Sequence, residues 1–187
     1  MWRARAVGTA GAVTILALTG CGSERRATPT TAACAPLPGA ATSPRTGGQA
    51  AELAYLTSVK LGGDGCVDRI TFAFTTDRLG VAPGFRADYE PRRQAGTEDG
   101  SGRRIPIAGR AFLVVRLQPT ATAKIAGEQL RFTYKGPRRV EGTKTGHVQE
   151  AVKTGDFEAA VTWAIGLDER RPFTVVASPG LLVLTIG

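Results

Sequence analysis

Leu56-Thr57-Ser58-Val59-Lys60-Leu61-Gly62-Gly63-Asp64-Gly65-Cys66-Val67-Asp68-Arg69-Ile70-Thr71-Phe72-Ala73-Phe74 decides the fold class. Tyr55, Thr57, Val59 and Leu61 alternate with Leu56, Ser58 and Lys60, and Ile70, Phe72 and Phe74 alternate with Thr71, Ala73 and Thr75. Successive side chains of a strand point to opposite faces, so a period of two marks one face for a core and one for water. Between the runs, Gly62-Gly63-Asp64-Gly65 has the backbone freedom of a hairpin turn. The stretch reads as two antiparallel strands.

The same period recurs along the chain. Phe112, Val114 and Arg116 alternate with Leu113, Val115 and Leu117, and Phe157, Ala159, Val161, Trp163, Ile165 and Leu167 hold the period over one long segment. Residues 181–186 are apolar on both faces except for Thr185, which predicts a central, covered strand. Ser178-Pro179-Gly180 reads as the turn of a last hairpin. Helical signal is poor, and its best candidate is a turn over residues 121–125 after Pro119. Residues 51–187 therefore predict one all-β domain of ordinary size, a single β-sandwich.

Residues upstream of that domain have a different character. Arg3 and Arg5 precede an uncharged run, residues 6–18, that contains Val7, Val13, Ile15, Leu16 and Leu18. A basic start followed by a short apolar run is a secretory leader, too short to span a bilayer comfortably. Leu18-Thr19-Gly20-Cys21 resembles the lipobox of bacterial lipoproteins. The resemblance implies cleavage after residue 20 and a lipid on Cys21, with two or more acyl chains needed for stable anchoring. Residues 21–50 are rich in Thr, Ala, Pro, Gly and Ser, with Pro29, Pro36, Pro38 and Pro44, and read as a disordered linker. With Cys21 acylated, Cys34 and Cys66 remain, an even pair in an oxidising compartment. They can form a disulfide or stay as two buried thiols; the compartment favours the disulfide.

Two segments resemble a known family. Leu56-Thr57-Ser58-Val59-Lys60-Leu61-Gly62 with Val67-Asp68-Arg69-Ile70-Thr71-Phe72-Ala73-Phe74 is similar to the opening hairpin of an AMIN domain. Arg171-Pro172-Phe173-Thr174-Val175-Val176-Ala177-Ser178-Pro179-Gly180-Leu181-Leu182-Val183-Leu184 is similar to its closing hairpin. The material between them gives the layout of the larger AMIN-like domain of secreted and lipid-anchored bacterial proteins. The resemblance implies an AMIN-like β-sandwich with an inserted middle segment. It also implies a non-catalytic module that binds or localises to cell-wall peptidoglycan.

Charge points to a surface for such a role. The formal net charge is +8, and +6 remains once Arg3 and Arg5 leave with the leader. Residues 86–144 carry thirteen Lys and Arg against six Asp and Glu, so the excess sits in the middle segment. A basic surface concentrates anionic partners, here anionic envelope polymers, lipid headgroups or peptidoglycan carboxylates, and weakens with salt. Arg103, Arg104, Arg138 and Arg139, with Tyr134 beside them, are the candidate contact residues. Arg138 and Arg139 follow Gly136-Pro137, a loop signal that predicts exposure. The alternative is a solvated, arginine-rich face without a ligand. Secretion and the lack of a recognition motif argue against nucleic acid.

Signs of catalysis are weak. His147 is the one histidine, with no nucleophile elbow, paired-histidine metal motif or phosphate loop around it. A zinc site needs several His or Cys ligands, so neither metal nor cofactor is expected. Asp156 and Glu158, like Asp88 and Glu90, stand two apart and could share a strand face, more simply its wet face. The protein is thus expected to be a membrane-anchored binding module and not an enzyme. A competing expectation is a lipid or small-ligand carrier with an apolar cavity between the sheets, lined by Phe72, Phe112 and Trp163.

Overall fold

The computed structural model describes residues 34–48, 52–75, 82–143 and 146–187, all within the compact unit Cys34–Gly187. Those residues form thirteen strands and one four-residue helix. They are β1 (Arg45–Gly47), β2 (Ala54–Gly63), β3 (Asp68–Thr75), β4 (Gly84–Tyr89), α1 (Arg92–Ala95), β5 (Ala111–Gln118) and β6 (Thr120–Ala121). There follow β7 (Ala123–Ala126), β8 (Gln129–Phe132), β9 (Arg139–Glu141), β10 (Val148–Phe157), β11 (Ala160–Leu167), β12 (Phe173–Ser178) and β13 (Leu181–Ile186). A five-stranded sheet runs β12-β13-β3-β2-β6 and a six-stranded sheet β1-β4-β5-β11-β10-β9, while β7 and β8 pair only with each other.

The two large sheets bury their facing sides in one core, a β-sandwich. Ile70, Phe72 and Phe74 from β3 and Leu182, Leu184 and Ile186 from β13 meet Leu113, Val115 and Leu117 from β5 and Val161, Trp163, Ile165 and Leu167 from β11. Trp163 is fully buried between Phe72 and Tyr134, edge to face, with ring centroids 6.1 and 5.8 Å away. That packing removes the expected ligand cavity: Phe72 and Trp163 touch in the core, and Phe112 belongs to a different cluster.

The other cluster explains why β5 is apolar on both faces. Ala95 of α1 and Ile107 cover Phe112, Val114, Val152 and Ala164 on the outer side of the six-stranded sheet. Arg92 seals the edge, with its guanidinium 4.6 Å from the Phe112 ring centroid and donating to the Ile107 and Gly109 carbonyls. The covering loop comes so close that a Cβ at Gly166 would lie 1.7 Å from the Ala108 carbonyl oxygen. The middle segment is therefore structural: it supplies β4, β5 and β9 of one sheet, and the β7-β8 hairpin.

Four expectations need correction. Residues 157–167 are two strands, not one, because Glu158 and Ala159 take positive φ of 49° and 56° and turn the chain from β10 into β11. Phe157 is consequently exposed while Trp163 is buried. Residues 121–125 hold no helix; they enter β6 and β7. Residues 181–186 do lie between two strands, but only one face is covered, with Leu181 39% exposed. Finally, the folded unit begins at Cys34 and not near residue 51, because β1 pairs with β4 and Ala41 bridges Phe173.

A disulfide joins Cys34 to Cys66, with the Cα atoms 5.3 Å apart. It ties the start of the unit to the β2-β3 turn. Both cores, all thirteen strands and this bridge lie within residues 34–187, which can therefore be studied as one folding unit. Among the described residues no helix is long and apolar enough to cross a membrane. Cys21 lies outside the described residues.

Candidate functional site

The loop over the outer face of the six-stranded sheet brings separate charged segments together. Glu98 is the pivot. Its Oε2 accepts from Arg103 Nε at 2.9 Å and from Ser101 Oγ at 2.6 Å, and its Oε1 accepts from Arg138 Nη2 at 2.5 Å. Arg138 reaches this carboxylate across forty residues of sequence and also donates to the Lys153 carbonyl of β10 at 2.9 Å. Donation from Arg103, Ser101 and Arg138 brings the Glu98 carboxyl down to about 2. Glu98 is partly buried, but the arginines that hold it are exposed, so the effect on stability is screened by solvent.

The sign of that effect is definite. A carboxyl held below its ordinary value near 4.5 contributes stability that is complete above that value and is lost as pH falls toward about 2. Thermal melts of wild type and Glu98→Gln should therefore differ by a constant amount above about pH 5 and converge between about pH 4.5 and pH 2. A difference that grows as pH falls would refute the arginine clamp.

Two clefts open beside the clamp and share Asp99. One, of about 400 Å³, is lined by Glu98, Asp99, Phe132, Arg138, Lys153 and Asp156, among others. Asp156 accepts from Lys153 Nζ at 2.7 Å and from the Thr122 hydroxyl. The other cleft, of about 510 Å³, is lined by Glu90, Arg93, Gln94, Thr97, Asp99, Arg104 and Arg116. There Arg116 pairs with Glu90 and lies 3.7 Å from Asp88, so these two acids do share a face. Asp99 is fixed between the clefts by Thr162 Oγ1 at 2.6 Å and by its own N–H on the Thr154 carbonyl at 3.0 Å. Both clefts are open, polar and charged with both signs, a lining that suits ligands rich in hydroxyl, amide and carboxylate groups.

The five residues expected at the contact surface separate. Arg103 and Arg138 come together on Glu98, and Arg104 lies in the neighbouring cleft, donating to the Arg93 carbonyl at 3.0 Å. Arg139 is structural: it pairs with buried Glu150 and donates to the Pro106 carbonyl, while Glu150 accepts from the Ala108 N–H. Tyr134 is a core residue, 7% exposed, whose hydroxyl donates to the Pro137 carbonyl at 2.7 Å. At the cleft wall Lys153 Nζ lies 5.7 Å from the Tyr134 ring centroid. Glu98, Asp99 and Phe132 were not singled out from the sequence; the acids stand in a loop with no periodic pattern, and Phe132 alternates within too short a strand to register.

His147 stands just before β10, between Asp68 and Asp168. Its backbone N–H and that of Val148 donate to Asp68 Oδ2, a buried carboxylate of β3 that pins the start of β10. Its ring Nδ1 lies 3.3 Å from Asp168 Oδ2, but Arg171 already holds Asp168 with two donors at 3.0 and 2.9 Å. Partial burial pushes the Asp168 carboxyl up, yet Arg171, the Glu169 N–H and His147 outweigh it and bring it down to about 2. The shallow cleft at Asp168 is lined by Gly109, Arg110 and Gln149, without His147. Asp156 and Glu158 do not form a pair on one strand face, since Glu158 sits in the β10-β11 turn. Among the described residues no three His, Cys, Asp or Glu are placed to hold a metal.

No curated protein and no solved structure matches the chain significantly. A family model for the AMIN-like domain matches residues 54–186, from the first residue of β2 to the last of β13. That span takes in every strand of both sheets except β1, and the loop that builds the clefts, and the chain belongs to the AMIN-like domain family.

Proposed function

We propose that this protein is a non-catalytic cell-envelope module that binds peptidoglycan through the cleft beside the Glu98 clamp. The family match carries the reading, because AMIN-like domains are generally binding or localisation modules of envelope proteins. The cleft suits it chemically. Arg103 and Arg138 are held in place by one carboxylate, which leaves their remaining N–H groups pre-oriented for a ligand acid. Lys153, Asp99 and Asp156 add donors and acceptors for amides and hydroxyls. In this reading the leader is removed, Cys21 carries lipid, and the module works at the extracytoplasmic face of the membrane. The lipid-carrier alternative loses its support with the packed contact between Phe72 and Trp163.

The test is co-sedimentation of residues 34–187 with purified cell-wall sacculi over a salt series. Binding should weaken as salt rises, and Arg103→Glu with Arg138→Glu should reduce it at least about tenfold at low salt. The double variant should keep the wild-type fold by circular dichroism, because both side chains are exposed. No sedimentation at low salt, or equal sedimentation of the variant, would defeat the reading. The anchor has its own readout: full-length wild type should enter the detergent phase of a detergent–water partition, and Cys21→Ser should not.

A further inference from the structure

The β7-β8 hairpin leaves its large side chains in water on both sides. Its register sets Ala123 opposite Phe132, Lys124 opposite Arg131, and Ile125 opposite Leu130. Directly paired residues of an antiparallel ribbon project to the same side, and sides alternate along each strand. Ala123, Ile125, Leu130 and Phe132 therefore share one side, and Lys124 and Arg131 the other. Lys124 Nζ lies 5.8 Å from the Tyr55 ring centroid, so the basic side is the one turned toward β2 of the sandwich. The apolar side is left in water: Ile125 is 80% exposed, Leu130 61%, and Phe132, at the rim of the cleft, 63%. Lys124 and Arg131 are exposed as well, so the ribbon presents apolar and basic side chains to solvent together, whereas a ribbon that served only folding would bury its apolar side.

Charge and size select the occupant of this face. Within residues 123–135, Lys124, Arg131 and Lys135 face a single acid, Glu128 at the turn, an excess of two positive charges. None of the three cations has an ion pair among the described residues. A second copy of the chain is a poor fit. Three side chains supply at most a few hundred Å², against about 800 Å² per partner in a stable protein interface. A bilayer surface needs no such area, since a few apolar side chains enter the boundary between headgroups and acyl chains while neighbouring cations meet anionic headgroups.

We propose that the β7-β8 hairpin is a membrane-contact element that inserts Ile125 and Leu130, with Phe132 behind them, into the headgroup region of an anionic bilayer. The element lays the sandwich against the membrane and limits how far a tether would let it stray. It rests neither on wall binding, which is assigned to Arg103 and Arg138, nor on Cys21, which residues 34–187 do not contain. The cleft remains beside the base of the hairpin, with Phe132 shared between them.

The test is flotation of residues 34–187 with phosphatidylcholine vesicles, either pure or containing about 30% phosphatidylglycerol. Wild type should float with the anionic vesicles and at least about tenfold less with the neutral ones. Ile125→Ser with Leu130→Ser should lower anionic flotation at least about tenfold while thermal stability stays unchanged, because both side chains are already in water. Lys124→Glu with Arg131→Glu should lower it as well and flatten its salt dependence. Wild type that fails to float at low salt, or serine variants that float as wild type does, would overturn the proposal. So would a dimer in sedimentation equilibrium that the serine variants abolish, which would assign the face to a second copy. Sacculus binding by the serine variants stays at the wild-type level, so failure here and failure of the wall-binding reading are read separately.

Discussion

Trp163→Ala is expected to cost about 3–5 kcal/mol of unfolding free energy. Trp163 is fully buried in β11, pairs with Val115 of β5 and Lys153 of β10, and meets Phe72 and Tyr134 edge to face. Truncation would open a void at the point where β3, β11 and the segment leading into β9 converge. The surrounding strands are held by ladder hydrogen bonds and can close only part of it. Its indole N–H has no partner, and a buried donor left unpaired costs about 1–3 kcal/mol. Trp163→Phe removes that donor along with some volume, so it should be clearly milder than the alanine change. Urea denaturation of the three proteins measures the order. An alanine variant within about 1 kcal/mol of wild type would contradict the core described here.

Loss of the Cys34–Cys66 disulfide is the second large effect. The bridge spans 32 residues, and loop-closure estimates for that span are roughly 3–4 kcal/mol. The segment it secures has few other ties: β1 is three residues long, and Ala41 makes a single bridge to Phe173. Cys34→Ser with Cys66→Ser, or reduction of the wild type, should lower the urea midpoint accordingly. Amides of residues 40–47 should exchange faster than those of β3 or β5, because the edge can open without unfolding the sheets. Uniform loss of protection would mean that the bridge stabilises the whole unit cooperatively and not this edge first.

How far the sequence could be read depends on which rule each element obeyed. β3 and β5 were legible because regular alternation leaves one assignment of faces within each strand, and Ser178-Pro179-Gly180 carries ordinary turn chemistry; the first turn falls at residues 64–67, because Gly62 and Gly63 still belong to β2 and pair with Arg69 and Asp68. β2 was half legible. Its alternation groups Tyr55, Thr57, Val59 and Leu61, but a bulge between Leu56 and Ser58 shifts the register, so Leu56 and Val59 are the buried pair. The β10-β11 turn was invisible because Glu158 and Ala159 take positive φ without Gly or Asn to announce it.

The candidate site was less legible than the fold. Arg103 and Arg138, candidates for the contact surface, are exposed, but their shared partner Glu98 stands forty residues from Arg138 and in no pattern with it. Tyr134 and Arg139 look like surface residues by type and neighbourhood, yet one packs on Trp163 and the other pairs with buried Glu150.

The sequence by itself determined that this is an all-β domain and where its last hairpin turns, because strand periodicity and turn chemistry are local properties, and its motifs carried the family resemblance. Only the tertiary structure decided which side of each strand is inside, which arginines pair, and that the β7-β8 hairpin presents its apolar side to solvent. Alternation distinguishes two faces but does not say which one is covered. That choice is made by whatever packs across from the strand, and those residues are far away along the chain.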